Sequence, residues 1–291
     1  MMLLSVFLIC GWRFIVNLHI DTLWHQGSGQ FNEDRVLIED NLFGVFDGAS
    51  SLVKNLYDEK SGAWWAAQVA AAEFACNDDD LLNLARRSNR RLRAAMEQHG
   101  VDVADKLQRW STSAAVFRMN GDDLEWVQTG DCLIMAIDRD GQHRLLTPYY
   151  NHDAETLLQW QQEPGETVDD ALRRLRPQIE RVRQRMNEDY GVLCGDERVE
   201  SFLHHGRIRH GEFSHVLAFS DGLFPPSSAG DDPDFEAIAE RYLEDGLDGV
   251  GRWVRQQEKA DPHCRQFPRF KPHDDMAAIA VCLAPESARK A

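Results

Sequence analysis

Apolar positions recur along the chain in two rhythms. In "NEDRVLIED" (32–40) and "NLFGVFDG" (41–48), short apolar or alternating runs lie between turn residues, as in the two strands of a hairpin. "EKSGAWWAAQVAAAEFAC" (59–76) is Ala-rich with large apolar residues at helical spacing. "DDLLNLARRSNRRLRAAMEQHG" (79–100) opens on Asp and closes on Gly, the cap chemistry of a second helix. Its arginines Arg86, Arg87, Arg90, Arg91 and Arg93 read as a solvated face. "STSAAVFRM", "DLEWVQTGD", "CLIMAIDRDG" and "HRLLT" follow as short runs separated by turn residues, the signature of an antiparallel meander.

A charged stretch from 151 to 190 comes next, in which "ALRRLRPQIERVRQRMNEDYG" predicts a helix broken near Pro177. The strand "HVLAFSDG", helices near 233–244 and 247–259, and a last strand "MAAIAVCL" complete the pattern. Grouped strands and paired helices predict an α+β layered domain, not alternating βαβ units. The start, "MMLLSVFLICGWRFIV", is apolar enough for a signal peptide or anchor, but it lacks a basic start and is short for a membrane span. Its continuation "WRFIVNLHID" alternates like a first strand, so the expected layout is an extension over 1–11, one domain over 12–284 and a tail over 285–291.

Composition narrows the chemistry. The 291 residues are 43% hydrophobic, enough for a sizeable core. A net charge of −16, from 48 acidic against 32 basic residues, argues against a nucleic-acid or anionic-membrane binder and suits a protein that holds divalent cations. Six scattered cysteines show no zinc spacing and read as reduced core residues of a cytoplasmic protein.

The candidate chemistry lies at strand ends: Glu33 and Asp34 in "NED", Asp47 in "FDG", Asp131 in "TGD", Asp221 in "SDG", and Asp274 and Asp275 in "HDDMAAIAV". Any one of these is an ordinary turn or cap residue, and Asp-Gly is a common turn former. Their recurrence is informative, because carboxylates brought together repel each other unless a cation compensates them. Oxygen donors without His or Cys point to Mg²⁺ or Mn²⁺. The glycine after each acid, Gly48 or Gly222, would let a backbone carbonyl approach an ion closely.

In this order, "NED", "FGVFDGAS", "STSAAVF…WVQTGDCLIMAI", "VLAFSDGLF" and "DDMAAIAV" resemble the metal-dependent type 2C (PPM) Ser/Thr protein phosphatase family, over about residues 12 to 284. The resemblance implies a two-sheet antiparallel β-sandwich flanked by pairs of α-helices, four layers in the order αββα, with a two-metal site at one edge. It implies that Asp47 bridges two Mg²⁺ or Mn²⁺ ions, that the Gly48 carbonyl binds one, and that Asp221 and Asp274 bind the other. Glu33 and Asp34 would lie in or just behind that shell, and Asp131 matches the acid that holds a third, weaker ion in bacterial members. The implied reaction is hydrolysis of phosphoserine and phosphothreonine in proteins by a hydroxide held between the metals, opposing a Ser/Thr kinase.

Two departures touch substrate handling. "DGASS" puts Ala49 where the family often has a polar residue, and Gly29 stands where relatives carry a phosphate-gripping arginine. Lys54 and Arg35 are the substitutes near in sequence, though Arg35 follows Asp34 on a strand and should face the other way. Two other readings stay open: a phosphatase-like regulatory module that binds without turnover, and a hydrolase of a small phosphorylated compound.

Overall fold

A computed structural model describes residues 18–49, 52–165 and 167–283. The extension expected over 1–11, the start of the expected first strand and the tail over 285–291 lie outside these residues.

The chain runs β1 (His19–His25), β2 (Asp34–Glu39), β3 (Leu42–Gly48), the short β4 (Leu56–Tyr57) and β5 (Lys60–Ser61), then α1 (Gly62–Phe74) and α2 (Leu81–Gln98). The meander follows as β6 (Thr112–Asn120), β7 (Asp123–Thr129), β8 (Leu133–Asp138) and β9 (His143–Leu145). After α3 (Ala154–Gln162) and α4 (Val168–Gln184) come β10 (His204–Arg209), β11 (Phe213–Phe219), α5 (Phe235–Ala260) and β12 (Met276–Cys282). Two five-stranded sheets result, ordered β1-β12-β11-β8-β9 and β10-β7-β6-β3-β2, with antiparallel pairing throughout. This is the α+β sandwich that the motif order implies.

Strand alternation sorts the core into layers. Phe43, Val45, Ala115 and Phe117 of one sheet meet Ile134, Val216, Ala218, Ala277 and Ile279 of the other in the space between the sheets. The opposite faces turn outward to helices. Phe46, Ala114 and Val116 pack against α1 and α2, while Leu217, Phe219, Ala278 and Ala280 pack against α5. Helix α1 starts where Ser61 Oγ accepts from Trp64 N, and its alanines 63, 66, 67, 70 and 71 are buried; their small size lets the helix lie close on the sheet. Helix α2 is capped by Asp80 and buries Leu81, Leu84, Ala85, Leu92 and Met96 at helical spacing. Its arginines lie on the opposite side, where Arg86 pairs with Glu200, Arg87 with Glu73 and Asp78, and Arg93 with Glu97.

The structure corrects one helix. α4 continues through Pro177 without a break. Proline removes one N–H, but Ala171 and Leu175 before it and Gln178 after it are buried, so packing holds both halves on one axis. The two helices expected between 233 and 259 are halves of α5, bent at Gly246 (φ 70°), where Asp21 Oδ2 accepts from Leu247 N at 2.9 Å and caps the second half. The cysteine reading also needs amendment: Cys132, Cys194, Cys264 and Cys282 are buried, but Cys76 is exposed. Among the described residues no helix is long and apolar enough to cross a membrane.

Candidate metal centre

The face between the sheets is apolar until it reaches one edge. On β2 it runs Ile38, Val36, Asp34, and on the antiparallel β3 it runs Phe43, Val45, Asp47, so the alternation that buries the core also delivers the two carboxylates. Asp34 and Asp47 are direct cross-strand partners. Two like charges at that spacing are unfavourable unless something compensates them.

The second sheet supplies the rest at the same edge. Ser220, just after β11, donates its hydroxyl to Asp34 Oδ2 at 2.7 Å and accepts from Ala277 N of β12 at 2.9 Å, which ties the sheets together beneath the acids. Asp221 follows and shares a side-chain hydrogen bond with Asp47. Asp131, in the turn between β7 and β8, accepts from Ser113 Oγ at 2.6 Å. Ligand atoms of Asp47, Asp131 and Cys132 lie within 4.8 Å of one another.

Glu33 Oε1 accepts from Ser61 Oγ at 2.6 Å, and its Oε2 lies 4.0 Å from Lys271 Nζ. Asp274 Oδ1 sits 2.6 Å from the same ammonium. The Asp274–Asp275 pair divides its work. Asp275 is 3% exposed and gives both oxygens to backbone, accepting from Gly27 N at 2.7 Å and Glu33 N at 2.8 Å. Asp274 lines the open cleft together with Asp47, Asp131 and Asp221. Asp34 is buried behind them.

The glycines after the acids are also required by close backbone packing. A Cβ on Gly48 would lie 2.7 Å from the Ala63 carbonyl carbon and 2.8 Å from the Glu33 oxygen, and one on Gly222 would overlap the Asp275 oxygen. Hydrogen is the side chain that lets α1, the 26–33 loop and the start of β12 close on the two strand ends.

Electrostatics follow from this crowding. Burial, and then the nearby Asp274, Asp275 and Asp221 charges, push the Asp34 carboxyl well above the usual range despite the Ser220 hydrogen bond. Burial pushes Asp47 and Asp221 up as well, followed for Asp47 by Asp34, Asp131 and Asp274, and for Asp221 by Asp47, Asp131 and Asp274. Burial also raises the Cys132 thiol, so it stays protonated and is a poor cation ligand. Burial works against the Lys271 ammonium, but Asp274, Glu33 and Asp47 more than offset it and raise its pKa. The donors are therefore hard oxygens in costly excess, and the residues fit divalent cations such as Mg²⁺ or Mn²⁺.

A pH dependence follows. Carboxyls whose pKa is raised on folding stabilise the fold below their ordinary pKa near ~4, and that contribution is lost as pH rises through their raised values. In a chelator, the melting temperature of the protein should therefore fall as pH rises above about 4, less steeply in Asp34→Asn. Saturating Mn²⁺ near neutral pH should restore about 2.7 kcal/mol at a hundredfold excess over Kd. Equal slopes for wild type and Asp34→Asn would refute the account.

Sequence reasoning missed three parts of the cleft. Lys271 lies three residues before Asp274 in a segment without periodicity, and no local signal marks it. Arg183 and Tyr190, from the charged stretch after α3, also line the cleft, and their role depends on where that stretch packs. The two nearby substitutes stand elsewhere. Arg35 donates to Gln68 of α1 and stacks over Trp64 at 4.9 Å, on the helix side as its strand position required. Lys54 is exposed and lies outside the cleft lining.

Comparison with known proteins gives three results. Residues 24–256 match the sequence profile of the family described as Protein phosphatase 2C, a span that includes Asp34, Asp47, Asp131 and Asp221 and stops before Asp274. No curated protein matches the chain significantly in sequence. Among solved structures, the Mycobacterium tuberculosis serine/threonine phosphatase PstP/Ppp is similar at 18% identity and a TM-score of 0.58, over 92% of this chain and 99% of that one. The PstP catalytic domain in complex with two manganese ions aligns at 17% identity and a TM-score of 0.56, over 92% and 99%. Stp1 from Staphylococcus aureus, a serine/threonine phosphatase, aligns at 16% identity and a TM-score of 0.57, over 95% and 100%.

Proposed function

The chain belongs to the protein phosphatase 2C family, and from that premise we propose that it removes phosphate from phosphoserine and phosphothreonine side chains of proteins at the acidic edge of the sandwich. The observation that carries this reading is the convergence of Asp47, Asp131, Asp221 and Asp274 from both sheets on one cleft.

Asp47, the Gly48 carbonyl, Asp221 and Asp274 are the residues we assign to two Mg²⁺ or Mn²⁺ ions, with Glu33 and Asp34 behind them and Asp131 as a site for a third. The ions, when bound, supply a water ionised near neutral pH and neutralise charge on the phosphoryl oxygens. The chain's own part is to hold the acids in place: Ser220 and Ser113 orient Asp34 and Asp131, and Asp275 ties the loop at Gly27 and Glu33 to the β12 strand. Cys132 is buried and kept as a thiol, which leaves it unsuited as a nucleophile. Leu52, Leu172, Ile179, Val182 and Val192 form an apolar wall beside the acids, against which a residue flanking a phosphorylated side chain can pack. That wall favours a peptide over a small polar phosphoester. A Ser/Thr kinase is the enzyme class that would supply such a substrate.

The test is turnover. With Mn²⁺ the protein should hydrolyse p-nitrophenyl phosphate, lose that activity in a chelator, and give higher kcat/KM on phosphothreonine peptides than on small sugar phosphates. Tight phosphopeptide binding without metal-dependent turnover would favour the regulatory module, and preference for the small esters would favour the small-molecule hydrolase.

A further inference from the structure

With two divalent cations bound and the weaker third site at Asp131 empty, the six carboxylates of Glu33, Asp34, Asp47, Asp131, Asp221 and Asp274 face four positive charges. A phosphomonoester dianion entering that cleft meets negative charge unless the protein adds a cation of its own. The family resemblance assigns this task to an arginine where this chain has Gly29.

Lys271 is positioned to take it. Its Nζ lies 2.6 Å from Asp274 Oδ1 and 4.0 Å from Glu33 Oε2, between the two ends of the acid cluster, and its side chain lines the cleft beside Asp221. The segment that presents it is tied down by hydrogen bonds and a ring contact. Arg269 donates to the carbonyls of Glu258, Phe267 and Pro272 and to the Asp261 carboxylate. Phe270 stacks edge-on against the buried Trp160 at 6.2 Å. Of the other basic side chains named earlier, Arg35 is held on Gln68 of α1, Lys54 is exposed outside the cleft lining, and Arg183, which lines the cleft, donates to Ser111 Oγ at 2.9 Å.

We propose that Lys271 binds the phosphoryl group of the substrate, taking the place of the arginine absent at position 29. The inference rests on the phosphatase reading above. An ammonium has three N–H donors, so it can serve Asp274 and an anion together. As a compact point charge it attracts a phosphate without the bidentate fit of a guanidinium, and it places few demands on how the phosphoryl oxygens are turned.

The experiment titrates inorganic phosphate into the Mn²⁺-loaded protein by calorimetry, for wild type, Lys271→Gln, Lys271→Met and Lys271→Arg, with Mn²⁺ affinity measured separately without phosphate. Losing one charge-assisted contact should weaken phosphate binding about 10- to 100-fold in the Gln and Met variants, with the Arg variant within about threefold of wild type. Mn²⁺ affinity should hold or tighten, because a cation competing for Asp274 is gone. With p-nitrophenyl phosphate, KM should rise by the same factor while kcat changes little, as for a contact made equally in the ground and transition states. Phosphate affinity within about twofold of wild type in both neutral variants overturns the proposal, as does a loss explained by weaker Mn²⁺ binding, which would make Lys271 a positioning residue for Asp274. A wild type that binds no phosphate overturns it too. A wild type that binds phosphate through Lys271 yet turns over no phosphomonoester upholds the assignment and refutes the phosphatase function.

Discussion

Asp47→Asn is expected to lower Mn²⁺-dependent kcat toward p-nitrophenyl phosphate by about a thousandfold or more while making the metal-free protein more heat-stable. The two effects share one cause. Asp47 is the acid that faces most of the others, hydrogen-bonded to Asp221, opposite Asp34 and near Asp131 and Asp274. If Asp47 holds both ions, as the family resemblance implies, an amide that carries no charge would weaken both together. Without metal the same carboxyl is a burden, since burial and its neighbours push its pKa well up. An amide of the same shape keeps the hydrogen bond to Asp221 and removes the repulsion. Steady-state kinetics at saturating Mn²⁺ and melting curves in a chelator check both halves. Retained activity would remove Asp47 from the metal site, and a drop in metal-free melting temperature would refute the electrostatic account.

Gly222→Ala is expected to cost about 3 kcal/mol of stability, or about 10 °C in Tm at ~2–4 °C per kcal/mol, and to weaken Mn²⁺ binding as well. The methyl would overlap the Asp275 carbonyl oxygen and come within 3.4 Å of Met276 Cα. Both obstacles are backbone, so no side-chain rotation relieves the clash. β12 lies between β1 and β11 and is buried along its length, so the start of that strand or the turn at Asp221 must move. Either shift separates Asp221 from Asp274. A melting temperature within about 1 °C of wild type would show that the turn adjusts freely.

Much of this was legible in the chain. The short apolar runs of 34–48 and 111–147, bounded by turn residues, identify hairpin and meander, because strands covered on both faces stay apolar until a turn ends them. Strand alternation also places Asp34 and Asp47 on the face between the sheets, since each continues the inner row of its strand. A break at Pro177 is what the chain alone suggests because proline's cost is local, while the cluster of Ala171 and Leu175 with Trp160 and Cys264 involves residues distant in sequence.

By itself the sequence determined the strand and helix order, the side of each strand that carries an acid, and the family resemblance; these depend on neighbours a few positions apart, where periodicity and turn chemistry act. The tertiary structure alone decided which acid of the 274–275 pair faces the cleft, why glycine follows Asp47 and Asp221, and that Lys271 stands among the carboxylates. Those are contacts between segments as much as 248 residues apart, such as Gly27 with Asp275. They arise where two sheets and the loops at their edge close on one another, and no pattern within a single segment encodes which backbone will arrive opposite it.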